Sequence, residues 1–278
     1  MGSSVSSPKG DKNVKTQLIA TAAAAAFFAL TGAAQAQTVG HVGANYSRAE
    51  IDAGALGDTD ADVFQGEGAV AFDVGSSLRG AVDGSVTNFD ADGGDATTWA
   101  VTGHLNKTFD GGLAGGFLGV NKSDDVTLWA VGAEAQFNVS PKTTLYGQVG
   151  YGQSDDLDDV DFWAGRAELH YFITDTFKVQ GAAGYTKADA KGGDLDMWNI
   201  GADAEYQFAG TPWSVTGAYE HGEMDDADLK ADTFKIGLRY TFGGTLRDRD
   251  QAGASLGSTT NLFGGTLGQG VIAAVGAF

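Results

Sequence analysis

The chain of 278 residues carries no cysteine, 43 glycines, only 3 prolines and a formal charge of −19. The lack of cysteine excludes thiol catalysis, Cys-ligated metals and disulfide staples. The acidic balance excludes the basic face that nucleic acid requires, and the scarcity of Leu, Ile and Met excludes a core of long buried helices.

Residues 1–36 run from a polar stretch with Lys9, Lys12 and Lys15, through an apolar run from Leu18 to Leu30, to Ala34-Gln35-Ala36. Charged, apolar and small-residue regions in that order predict a secretory signal peptide cleaved near Ala36. The apolar run falls short of the roughly 20 residues of a spanning helix, so an uncleaved anchor is the lesser alternative. Beyond Ala36 the chain holds 14 basic and 35 acidic residues, a charge of −21. Acidity of that size points to a solvated or cation-facing surface.

From residue 37 to 242 one segment type recurs: an aromatic, then apolar residues at every second position, then another aromatic. The six copies are Phe64 to Phe72, Trp99 to Phe109, Trp129 to Phe137, Trp163 to Tyr171, Trp198 to Phe208 and Phe234 to Phe242, starting 30 to 36 residues apart. Each pair of aromatics is separated by 8 or 10 residues. An even separation on a strand puts both rings on one face. At about 3.3 Å per residue and a tilt near 40°, eight residues cover about 20 Å, close to the apolar band of an outer-membrane barrel. The paired rings are then interfacial girdles facing lipid. A soluble sandwich strand, in contrast, buries its apolar face in a core without aromatic rims.

Return strands with weaker alternation are expected near 39–51, 78–89, 111–121, 143–153, 176–187 and 212–222, which makes about twelve. The links alternate as well. Tight turns rich in Gly, Ser, Asp and Pro follow the aromatic copies, for example Asp110-Gly111-Gly112 and Gly210-Thr211-Pro212. On the other rim the links are longer and acidic, for example Asp52 to Asp62 and Lys187 to Asp196. The fold class expected is all-β: a transmembrane antiparallel up-and-down barrel with short periplasmic turns and longer acidic extracellular loops.

If the aromatics face lipid, the intervening residues face a lumen. These include Glu67, Arg79, Asp83, Glu134, Arg166, Glu168, Asp203, Glu205, Glu220, Lys235 and Arg239, with Asp73, His104, His170 and Lys178 beside them. Charges buried without water or partners cost several kcal/mol each, so these residues must line a wet channel or pair across it. Eight acids face five bases, a mild bias toward cations. The Asp clusters at 90–95 and 155–159 lack the spacing of a calcium loop. The histidines at 41, 104, 170 and 221 lie on different strands or rims with no serine nucleophile motif beside them, so neither an enzyme nor a metal site is expected.

The leader ending Ala34-Gln35-Ala36, the aromatic hairpins across 39–242 and the closing strand Phe234-Lys235-Ile236-Gly237-Leu238-Arg239-Tyr240-Thr241-Phe242 resemble the Gram-negative porins, particularly the small general porins of alphaproteobacteria. The resemblance implies passive diffusion of small hydrophilic solutes or ions across the outer membrane, with no cofactor. Its partners would be outer-membrane lipids, lipopolysaccharide and the outer-membrane assembly machinery. General porins are often trimers and twelve-stranded channels often monomers, so a homo-oligomer stays open. The alternative is a structural or surface-interaction barrel with a blocked lumen, and less so a barrel enzyme. In that family the last strand usually ends the chain. Here 36 residues follow Phe242. This Gly-rich tail, 243–278, reads first as a mobile periplasmic segment, with a lumen plug carrying Arg247 and Arg249, or an extra strand over Val271 to Phe278, as alternatives.

Overall fold

The structure, a computed structural model, describes residues 38–278 apart from 92–93, 124–125, 155, 157–159, 191–192 and 276–278. The expected leader, and parts of the acidic links at 90–95 and 155–159, lie outside the described residues.

Twelve strands follow one another: β1 (Val39–Asp52), β2 (Asp58–Gly75), β3 (Leu78–Ala91), β4 (Gly94–Phe109), β5 (Gly112–Ser123), β6 (Val126–Ser140), β7 (Thr143–Ser154), β8 (Val160–Thr174), β9 (Phe177–Ala190), β10 (Gly193–Gln207), β11 (Trp213–Met224) and β12 (Leu229–Phe242). Each pairs antiparallel with its neighbour in sequence, and β1 pairs with β12 from Gly40 against Phe242 to Asp52 against Lys230, which closes the barrel. Closure leaves no strand edge, and this is what lets a sheet cross a medium that offers no hydrogen bonds. The expected up-and-down barrel of twelve strands is therefore the observed fold. Register slips occur at Asp73/Gly75, Asn138/Ser140 and Phe172/Thr174, all beside tight turns. The long stretches between them keep the two-residue alternation intact.

That alternation sorts the side chains. On β12, Phe234, Ile236 and Leu238 are 57%, 66% and 49% exposed outward, whereas Thr233 and Thr241 are buried inward. Leu118 and Val149 are comparably open on β5 and β7. A continuous exterior belt of this kind needs an apolar surrounding, which a bilayer supplies.

The belt ends in aromatics on both rims. At the tight-turn rim Phe109 lies 5.8 Å from Phe137, and Trp213 lies 5.1 Å from Tyr240. At the other rim the return strands contribute rings that the sequence reading left out. Tyr46 faces Phe64, Tyr151 faces Trp163, Tyr185 faces Trp198 and Tyr219 faces Phe234 across their hairpins. Each tyrosine hydroxyl donates to the aspartate two residues before that partner ring: Asp62, Asp161, Asp196 and Asp232, at 2.7, 3.4, 2.8 and 2.5 Å. One unit of ring, ring and carboxylate is thus repeated around the rim, with the rings in the apolar belt and the hydroxyls turned to the polar edge.

The tail departs from the reading of a mobile periplasmic segment. After Gly243 and Gly244 it forms α1 (Leu246–Gln251), α2 (Thr259–Leu262) and α3 (Gly265–Val275). Thr245 caps α1 in a reciprocal box with Asp248. The helices lie inside the barrel, and Leu246, Arg249, Asp250, Leu262 and Phe263 are buried there. Composition argued for disorder because the tail cannot bury enough apolar surface against itself. The wall provides the missing surface. Each of the four apolar clusters of the interior includes a tail residue: Leu262 and Phe263 with Phe117, Leu128 and Phe162; Ala254 and Leu256 with Leu113 and Tyr146; Leu267 with Met197 and Met224; Ala273 with Val63 and Phe89.

Candidate functional site in the barrel lumen

The lumen is best followed from the tight-turn rim upward. Arg247 of α1 pairs with Asp175 in the β8–β9 turn at 2.9 Å. Arg249 then enters the interior and is 1% exposed. Its Nη1 and Nη2 donate to the two carboxylate oxygens of Glu205 at 3.0 and 2.6 Å, and Nη1 also donates to Thr241 at 2.8 Å. Glu205 is shared with Arg239, whose Nη1 reaches it at 2.6 Å while Nε donates to Glu67 at 3.1 Å. The result is an alternating acid and base chain from β2 through β12 and β10 to the tail. A bidentate Arg–carboxylate pair fixes geometry as well as charge, so the tail is held in register.

A second cluster engages Asp250. His170 Nδ1 lies 2.6 Å from its Oδ1, and Nε2 lies 2.9 Å from Glu168. Arg166 and Gln180 also donate to Glu168, at 2.6 and 2.9 Å. Burial pushes the Asp250 carboxyl up, but the His170 charge and hydrogen bond outweigh it and hold Asp250 below its ordinary range. The third cluster is wall alone: His104 bridges Asp83 at 2.8 Å and Glu134 at 2.9 Å, and Tyr146 and Asn106 both donate to Glu134. Both ring nitrogens of His104 and of His170 are therefore occupied by carboxylates. Neither imidazole is free to act as a base on a bound substrate.

Higher in the barrel the contacts pass from ion pairs to hydroxyl, backbone and ring groups. The Thr259 amide donates to Thr102 at 3.1 Å, Thr186 donates to the Leu262 carbonyl at 3.1 Å, and Phe263 meets Phe162 edge-on at 4.4 Å. Glycine makes room for α2 and α3. A Cβ on Gly119 would stand 2.3 Å from Thr259, and one on Gly150 would stand 3.0 Å from Leu262. Near the long-loop rim the Thr266 amide donates to Glu220 at 2.7 Å, and Thr98 donates to Gln269 at 3.3 Å.

All eleven residues expected to line the lumen lie on inward register positions of their strands. The fold brings Glu67, Glu205 and Arg239 into one cluster, Arg166 and Glu168 into another, and joins Asp83 to Glu134 through His104. Arg79 sits at the tight-turn rim, donating to Asp73 and to the tail carbonyl of Ala252. Glu220 caps the start of α3. Asp203 and Lys235, with Glu67, Arg166 and Arg239, border a cavity of about 250 Å³ that remains beside the tail, along β8 to β12 and β1 to β3. Reading by parity missed the apolar residues at inward positions, such as Phe117, Phe162, Met197 and Met224. Their breach of the polar row was the available signal that something fills the lumen.

Fold and site together define a transmembrane β-barrel of the Gram-negative outer-membrane type, whose lumen holds its own C-terminal segment and a residual polar cavity. No protein-family model matches the chain, and no curated protein matches it in sequence. Among solved structures it is similar to an outer-membrane channel from Pseudomonas putida F1, with 10% identity over 73% of this chain and 95% of that one, at a TM-score of 0.59. It is also similar to the translocator domain of the autotransporter NalP from Neisseria meningitidis, with 12% identity over 82% and 96% of the two chains and a TM-score of 0.52. The β domain of a Bordetella autotransporter shares 17% identity over 73% of this chain and all of that one, at a TM-score of 0.50. At such identities the likeness is one of fold.

Proposed function

We propose that the chain is a narrow outer-membrane channel that lets small hydrophilic solutes or ions diffuse down their gradient, with a mild preference for cations. The observation that carries this reading is the cavity beside the tail, lined by Glu67, Asp203, Lys235 and Arg239. A wall of paired and unpaired charges around free volume keeps water and small ions, which an apolar constriction would expel. Arg249 and Asp250 add one charge of each sign to the interior, so the acidic excess of the wall is unchanged. The chemistry requires no cofactor. Lipopolysaccharide, outer-membrane lipids and the assembly machinery remain its proposed partners, as does the finer kinship with alphaproteobacterial porins.

A specific observation favours a second reading, a structural barrel with a blocked lumen: every interior apolar cluster is completed by the tail. Planar-bilayer recording separates the two. The mature chain is expected to give a small, steady conductance, and a variant ending at Gly243 one several-fold larger. Silence from both folded proteins would sink the channel reading. Silence from the mature chain with an open truncated form would favour the blocked barrel. Under a salt gradient, a reversal potential showing anion preference would overturn the selectivity.

A further inference from the structure

The tail does more than fill space, because its contacts pass from the tight-turn rim to the long-loop rim. Arg247 holds Asp175 in a tight turn, and Leu256 packs with Leu113, the second residue of β5. Thr259 meets Thr102 near the middle of β4, and ten residues later Gln269 meets Thr98, nearer the opposite end of the same strand. Leu267 lies against Met224, the last residue of β11, and Ala273 lies against Phe89, two residues before β3 ends at the long-loop rim. A loop folded into the lumen from below would return to the rim it entered by. This segment enters at the tight-turn rim, reaches the long-loop end by Leu262 and Phe263 beside Val126 and Phe162, and is still near that end at Ala273.

The packing fits a held, through-going strap. The charged anchors are at the entry, where Arg247, Arg249 and Asp250 all have wall partners. The upper part is held by apolar side chains and by the hydrogen bonds of Thr259, Thr266 and Gln269, with wall glycines making room, and Ala274 is exposed at the far end. We propose that residues 245–275 form a trans-lumenal strap that displays the last turn of α3 on the long-loop, cell-exterior face of the barrel. The surface presented would be the end of α3 among the acidic links, notably Asp58, Asp60, Asp90 and Asp194, which all lie at strand ends on that rim. This goes beyond the channel reading and does not depend on the residual cavity conducting.

The natural absence of cysteine makes the test direct. Single variants Ala274→Cys, Asp58→Cys at the long-loop rim and Ser76→Cys in the β2–β3 turn are expressed in the full-length chain. A membrane-impermeant maleimide is then applied to intact cells and to cells with a permeabilised outer membrane. Asp58→Cys and Ala274→Cys are expected to label to a similar extent on intact cells, and Ser76→Cys only after permeabilisation. Labelling of Ala274→Cys only after permeabilisation, or in neither state, would overturn the strap while leaving bilayer conductance to judge the channel independently. If Ser76→Cys labels on intact cells and Asp58→Cys does not, the orientation is inverted and the display proposal fails with it. Resistance of the folded barrel to unfolding in detergent at room temperature, checked by electrophoretic migration before and after boiling, removes a misfolded variant from the comparison.

Discussion

At the scale of single residues the most consequential atoms are those of Arg249. Its guanidinium is inaccessible to solvent and spans both oxygens of Glu205. Removing one partner of a buried pair costs roughly 3–5 kcal/mol, because the other charge stays behind in a medium that solvates it poorly. Arg249→Ala is therefore expected to weaken tail docking by about that amount, softened by the second bond of Glu205 to Arg239. Limited proteolysis checks it: the tail should become cleavable while the barrel stays resistant. Asp250 adds a pH dependence whose sign follows from its lowered pKa. A carboxylate more acidic in the folded state gives stabilisation that is complete above the ordinary Asp pKa of about 3.9 and fades as pH falls through the folded value. The groups facing it are His170, Lys178 and Thr144. Tail cleavage should thus stay constant from neutral pH to about pH 4 and rise below it. An acid-insensitive tail would remove Asp250 from the anchor.

At the scale of elements, the two faces of a strand meet different surroundings, and the same substitution tests both. Leu262 of α2 is 1% exposed in a cluster with Phe117 and Phe162, whereas Leu118 of β5 is 62% exposed on the outer belt. Leu262→Ala leaves a cavity in packed interior and is expected to cost about 2–5 kcal/mol of tail stability. Leu118→Ala faces fluid lipid that closes over the vacated volume, so its effect should be much smaller. Chemical unfolding monitored separately at tail and barrel would show it, and equal costs at both sites would contradict the assignment of inside and outside. The six aromatic copies were legible because period two is imposed by the pleat alone and needs no knowledge of the partner strand. The four tyrosine–aspartate units were not, because each joins residues 10 to 16 apart whose facing depends on hairpin register.

For the whole molecule, the sequence by itself determined the barrel. Alternation with aromatic ends, tight and acidic links in turn, and the lack of cysteine are local signals, and closure follows from the need to satisfy every backbone group in lipid. It also set the parity by which the charged residues of each strand share one face, and that parity holds between the register slips. Only the tertiary structure decided how those charges are spent and where the tail goes. Glu205 at position 205 and Arg249 at position 249 meet because β10, β12 and α1 converge at one level of the lumen, a distance no periodicity encodes. The tail is too rich in glycine to declare a fold of its own, and its helices exist where Phe117, Phe162, Met197 and Met224 give them a surface to bury. A segment whose stability is supplied by residues remote in sequence shows its place only once the wall around it has closed.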